Sequence, residues 1–121
     1  MNGRVAGVLA SLLALGSPAV GAAVKIKAKG SPGSFSFSPD DPHVQKGSKV
    51  AWKNTTSYTH ELTFYKGKWE GKSFTLPANG NFSKKPKKTG KYLYRCTVPG
   101  HSTFSGGECT SGMCGAFHVA N

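Results

Sequence analysis

The chain is poor in acidic residues. Five Asp and Glu stand against sixteen Lys and Arg among 121 residues, a formal net charge of +11. Such a balance suits an anionic partner or surface, and equally a solvated, self-repelling protein. Arginine is also scarce, limited to Arg4 and Arg95. The basic residues are lysines spread along the chain rather than arginines clustered with aromatics, which argues against a nucleic-acid-binding protein. After the first residues there is no apolar run of membrane length, no twin-arginine pair and no C-terminal anchor. Strong helical periodicity is missing after residue 23. Methionine occurs only at positions 1 and 113, and histidine at four positions.

The amino terminus has a different composition. Arg4 supplies a positive start, Val5 to Leu15 is apolar but too short to span a bilayer, and small residues follow. Residues 1–23 therefore read as a secretory signal peptide, with cleavage expected after Ala22 or Ala23. No cysteine lies near that zone to take a lipid. The expectation is an exported protein, periplasmic or extracellular, with no integral membrane segment once the leader is removed. Residues 24–121 then form a single domain large enough for a modest core.

Three cysteines is an odd count for an exported chain. The simplest arithmetic pairs Cys109 with Cys114 and leaves Cys96 free. A bare thiol oxidises in such a compartment, so Cys96 needs an occupant, and a metal ion would serve.

The mature region alternates like a set of strands. Val24 to Ala28 alternates apolar and charged residues, Phe35 to Ser38 alternates again, and Pro39-Asp40-Asp41-Pro42 is a turn. Val50 to Asn54 places Val50 and Trp52 on an inner face. Glu61 to Phe64 puts Leu62 and Phe64 inward, with His60 on the same side. Phe74 to Leu76 and the stretch around Phe82 are shorter candidates. Lys91 to Arg95 and Gly115 to Val119 complete the set. Short strands punctuated by Gly and Pro predict an all-β antiparallel sandwich. Gly67 to Lys72 fits either a short helical turn or an irregular connection. Lys84-Lys85-Pro86-Lys87-Lys88 reads as a solvated turn or edge.

The chemistry concentrates in Cys96-Thr97-Val98-Pro99-Gly100-His101. A thiolate and an imidazole five positions apart on a Pro-Gly turn can reach one metal ion. Alternation brings His60 inward at one end of the sandwich, where an unpaired imidazole would be costly. Met113 precedes the final strand. Two imidazoles, one thiolate and a weak thioether form the trigonal ligand set of a blue-copper site. His118 alternates outward between Phe117 and Val119, and His43 follows a turn proline; neither is proposed as a ligand.

These residues resemble the cupredoxins, the small blue-copper proteins that include plastocyanin and pseudoazurin. The likeness runs from about Phe35 to the terminus. It rests on Val44-x-x-Gly47-x-x-Val50-x-Trp52-x-Asn54, on His60, on Gly90 through His101, and on Gly112-Met113-x-Gly115. The resemblance implies a Greek-key β-sandwich of about seven or eight strands. It also implies a single type-1 copper ion on His60, Cys96, His101 and Met113. It further implies a monomeric carrier that passes single electrons to a redox protein, with His101 as the port. Lysines around the port would steer an acidic partner, and contact with anionic surfaces is a further expectation. Copper storage or delivery with the same ligands is the alternative. An enzyme is not expected, because a lone type-1 site has no open position and four histidines cannot build the further clusters of a multicopper oxidase.

Two departures from the family pattern stand out. Twelve positions separate His101 from Met113, where about five are usual, and the added residues include Cys109. Glu61 follows the first histidine, where a neutral side chain is common. A carboxylate near copper would lower the reduction potential, whereas alternation away from His60 would leave it facing solvent.

Overall fold

Eleven strands account for just over half of the described residues. The computed structural model describes residues 22–121; the leader read over residues 1–23 lies, but for its last two residues, outside them. The strands are Val24–Lys29 (β1), Ser36–Ser38 (β2), His43–Gln45 (β3), Val50–Asn54 (β4), His60–Gly67 (β5) and Ser73–Leu76 (β6), followed by Asn81–Lys84 (β7), Gly90–Cys96 (β8), Ser102–Ser105 (β9), Glu108–Gly112 (β10) and Cys114–Ala120 (β11). Among the described residues no helix is long and apolar enough to cross a membrane. Gly67 to Lys72 is a turn rather than helix.

The strands form two sheets and a hairpin. One sheet has the order β2-β1-β4-β7 and the other β3-β11-β8-β5-β6, while β9 and β10 pair only with each other. The protein is thus an all-β sandwich, as the alternation predicted, but not a purely antiparallel one. β1 runs parallel to β4, and β3 runs parallel to β11. Nine strands make up the sheets because three-residue pieces, β2 and β3, add to the longer ones.

Period-two alternation makes the core. β4 buries Val50, Trp52 and Asn54, β5 buries His60, Leu62 and Phe64, and β8 buries Tyr92, Tyr94 and Cys96. Trp52 sits at the centre. Its ring meets Phe64, Tyr94 and Phe117 edge-on, and its Nε1–H donates to the Tyr94 hydroxyl at 3.0 Å. Gly115 lies directly on the Tyr94 ring, so that any Cβ there would overlap it. The core is aromatic and closely filled, and its β4, β5 and β8 strands end together at His60 and Cys96.

Candidate metal centre

β5 begins with His60 and β8 ends with Cys96, and the two strands pair antiparallel with Leu62 opposite Cys96. Their site-bearing ends therefore lie side by side. After Cys96 the chain turns tightly, closed by a His101 N–H bond to the Val98 carbonyl at 3.0 Å. That turn returns His101 to the cysteine. The His60 and His101 Nδ1 atoms are 3.1 Å apart, and Cys96 Sγ lies 3.7 Å from the first and 3.5 Å from the second. This is the one cluster of its kind among the described residues.

The triangle has the size of a metal site. A triangle with those sides has its centre about 2.0 Å from each corner, matching a metal–imidazole bond and slightly short of a metal–thiolate one. Two imidazole nitrogens and a thiolate form a donor set suited to copper. His60, Cys96 and His101 are arranged as a copper site, and the group they fit is one type-1 copper.

The outer nitrogen of His60 fixes its tautomer. Asn54 Nδ2 donates to the carbonyls of Tyr58 at 2.7 Å, Pro77 at 3.0 Å and Leu76 at 3.3 Å, which sets the amide's orientation. Its Oδ1 then accepts the Thr56 N–H at 2.9 Å and the Thr56 hydroxyl at 2.7 Å. With its proton so committed, Thr56 Oγ1 accepts from His60 Nε2–H at 3.0 Å. The remaining lone pair, on Nδ1, faces Cys96 and His101. Such outer partners orient a ligand ring and raise its affinity for metal. Asn54 was legible only as part of the strand motif, and Thr56 was missed. A buried polar pair at a strand end preceding an inward histidine is the signal that finds them.

Backbone donors hold the sulfur. The Glu61 N–H points at Cys96 Sγ at 3.5 Å. The Glu61 side chain faces the other way, as alternation requires, and accepts the Thr75 hydroxyl at 2.9 Å on the outer face of the sheet. Of the two orientations considered for Glu61, the structure takes the one away from the site.

Burial tunes the ligands for metal. It lowers His60 to about 4, helped by the adjacent His101 imidazole, and lowers His101 as well. Burial raises the Cys96 thiol, partly opposed by the Glu61 and Val98 N–H groups. Both imidazoles are therefore neutral and ready to coordinate at neutral pH, whereas the thiol gives up its proton to the metal. A pH dependence follows for the metal-free protein. His60 resists protonation when folded but takes a proton near its ordinary 6.5 when unfolded. Stability is complete above pH 6.5 and falls as pH drops from 6.5 towards 4. The expected loss is about 2 kcal/mol after allowance for screening near the surface, measured by denaturant titration across that range.

Met113 is fully buried, and its backbone ties the loops together. Its carbonyl accepts the Cys96 N–H at 3.0 Å, and its N–H donates to the His101 carbonyl at 2.9 Å. Gly112 makes this closure possible. Its φ is +81°, and a Cβ there would fall 2.6 Å from the His101 carbonyl oxygen. The added residues before it are not a loose loop but the β9–β10 hairpin, turned at Gly106-Gly107. Cys109 and Cys114 are joined in a disulfide with Cα atoms 5.6 Å apart, leaving Cys96 as the free cysteine. His43 and His118 stack on each other at 5.9 Å between β3 and β11, away from the ligand triangle.

A shallow cleft beside His101 is lined by Gly33, Phe35, Gly100, Ser102, Thr103 and neighbouring small residues, with no lysine among them. Phe35 packs on both His60 and His101, at 4.9 and 4.6 Å, and Tyr58 packs on Phe35. This aromatic cover was not foreseen, because Phe35 reads in sequence as an ordinary strand residue.

Comparison with known proteins agrees with this geometry. No curated protein matches the chain. Among solved structures it is similar to amicyanin from Paracoccus versutus, with a TM-score of 0.59 and 18% identity over 88% of each chain. It is also similar to a purple cupredoxin from Nitrosopumilus maritimus, with a TM-score of 0.61 and 17% identity over 80% of this chain and 99% of that one. At these identities the likeness is one of fold. The model for copper binding proteins of the plastocyanin/azurin family matches residues 24–119. With nearly all of its described residues matched to that family, the chain is a cupredoxin and belongs to the plastocyanin/azurin family of copper-binding proteins.

Proposed function

We propose that this protein is an exported carrier of single electrons, in which His60, Cys96 and His101, with Met113 as a weaker fourth ligand, would hold one copper ion. The observation that carries the reading is the convergence of two Nδ1 atoms and one Sγ, each on a braced segment, behind an aromatic cover. Bound copper would supply the one-electron Cu(I)/Cu(II) couple. The protein's part is to hold the ligands still. Asn54 and Thr56 fix the His60 ring, the Glu61 N–H steadies the sulfur, and the Cys109–Cys114 bridge restrains the segment carrying Met113. Rigid ligands change little between oxidation states, which favours transfer of an electron over release of the ion.

His101 is the one ligand of the three that is not buried, and the cleft beside it is lined by Phe35 and small uncharged residues. A redox protein would approach there, against Phe35 and the half-exposed Tyr58. The basic excess of the whole chain steers an acidic partner from a distance, so transfer should slow as salt rises. The protein acts as a monomer in this reading.

Electron self-exchange in a mixture of the Cu(I)- and Cu(II)-loaded protein separates a carrier from a copper store. A carrier exchanges fast enough to broaden the NMR lines of ligand-loop residues in proportion to the oxidised fraction. Slow exchange, together with ready loss of copper to a mild chelator, would favour storage or delivery instead.

A further inference from the structure

Lysines that are scattered in sequence gather at the end of the sandwich opposite the metal centre. Lys68 and Lys72 come from the β5–β6 turn, and Lys84, Lys85, Lys87 and Lys88 from the end of β7 and the connection after it. Together they border a cleft of about 570 Å³ in which Glu70 is the single acid. His60 opens β5 and Gly67 closes it. At about 3.3 Å per residue, the strand sets the cleft roughly 23 Å from the metal ligands.

The cleft is held open by the fold rather than formed by free tails. Pro86, in the middle of the lysine run, is buried, while the lysines on either side of it are exposed. The Tyr92 hydroxyl donates to the Lys88 carbonyl at 2.6 Å and anchors the end of the run. The Lys84 ammonium lies over the rings of Trp69 and Phe74, at 5.7 and 5.6 Å, which restrains that side chain as well. Trp69 itself is wedged against Phe64 and Tyr92 at a backbone φ of 65°. No ion pair engages the six lysines; the protein's one salt bridge among the described residues joins Lys66 to Glu108 elsewhere.

From this arrangement we infer a second binding site, for a compact anion carrying several phosphate groups. The volume is that of a small-ligand pocket. Lysine is a point-charge phosphate binder, whereas planar carboxylate recognition favours the arginine fork, which the cleft lacks. Its concavity fits an inserted anion better than a flat bilayer. The exposed large apolar side chains, Tyr58 and Phe104, lie outside its lining, so it has no such group to anchor in lipid. The inference does not depend on electron carriage, since an occupant here leaves His101 clear.

Inorganic tripolyphosphate added to the copper(I)-loaded protein at about 0.15 M salt, where charges are screened beyond about 8 Å, followed by ¹⁵N NMR, tests the site. Saturable one-to-one binding is expected, with the largest shifts at residues 67–72 and 84–88 and none at His101. The K85Q/K87Q double variant should bind about tenfold more weakly, from the loss of two near charges. The K25Q/K27Q variant, which removes the same charge from β1, should lose less than about a third of that effect on a logarithmic scale. Equal weakening by the two variants would show diffuse charge only and overturn the site. So would shifts centred elsewhere, absence of saturation, or association with phosphatidylglycerol vesicles but not with the free anion.

Discussion

Replacing Asn54 with alanine is expected to destabilise the metal-free protein by about 3 kcal/mol and to weaken copper binding by about 10- to 100-fold. The amide bridges the carbonyls of Tyr58, Leu76 and Pro77 and takes both the N–H and the hydroxyl of Thr56. Its removal strands these groups at a site with no exposure, and a buried group left unpaired costs about 1–3 kcal/mol. It also frees the Thr56 proton, so that Thr56 no longer commits His60 to carrying its hydrogen on Nε2. Thr56→Val separates the two effects. It preserves shape, the Asn54 Nδ2 bonds and the Thr56 N–H bond, but deletes the hydroxyl that donates to Asn54 Oδ1 and accepts from the Tyr58 N–H and His60 Nε2–H. Its stability loss should be smaller than that of Asn54→Ala, and its loss of copper affinity comparable. Denaturant titration of the metal-free forms and competition against a copper chelator measure the two quantities. If Thr56→Val bound copper as tightly as the parent, the hydroxyl would have no positioning role.

The second large effect lies in the core beneath the site. Trp52→Ala should cost about 4 kcal/mol, because it empties the space where the two sheets meet. The ring is 1% exposed and touches Phe64, Phe82, Tyr94 and Phe117. A small domain has only about 5–15 kcal/mol in total, so this variant stands near the edge of folding. Trp52→Phe is the finer probe. It keeps an aromatic ring but removes the donor to the fully buried Tyr94 hydroxyl, at an expected cost of about 1–3 kcal/mol. Equilibrium unfolding with an unchanged denaturant slope checks both values. A Trp52→Phe protein as stable as the parent would show that the hydrogen bond contributes nothing net.

The metal-binding half of this protein is local in sequence, which is why it is legible there. Cys96 and His101 lie on one short turn, and strict alternation from Leu62 and Phe64 brings His60 to the same side. What alternation cannot reveal is strand direction. β1 beside β4 and β3 beside β11 show the same inward and outward residues whether the pairing is parallel or antiparallel. The β9–β10 hairpin was hidden for another reason. Its strands carry mostly Ser, Thr and Gly, without the apolar alternation that marks a buried face, and Gly106-Gly107 was the only cue. The lysines show the limit most clearly. Dispersed along the chain, they read as a uniformly solvated surface. The turn after β5 and the run after β7 nevertheless meet at one end of the sandwich, and the charge there becomes local.

The Cys109–Cys114 bridge explains how a long insertion is compatible with a buried Met113. In the chain-entropy account, closing so short a loop restrains the unfolded state by about 2 kcal/mol. In the folded protein the bridge joins the hairpin to the first residue of the last strand, immediately after Met113. The backbone of Met113 is held from both sides, by Cys96 and by His101.

The visible absorption spectrum of the copper(II)-loaded protein, recorded beside that of Cys96→Ser, tests the central claim most directly. The parent protein should show an intense thiolate-to-copper charge-transfer band, and the variant should lose it entirely. A copper-loaded parent with only weak absorption, or a band that survives in Cys96→Ser, would contradict a copper site built on His60, Cys96 and His101.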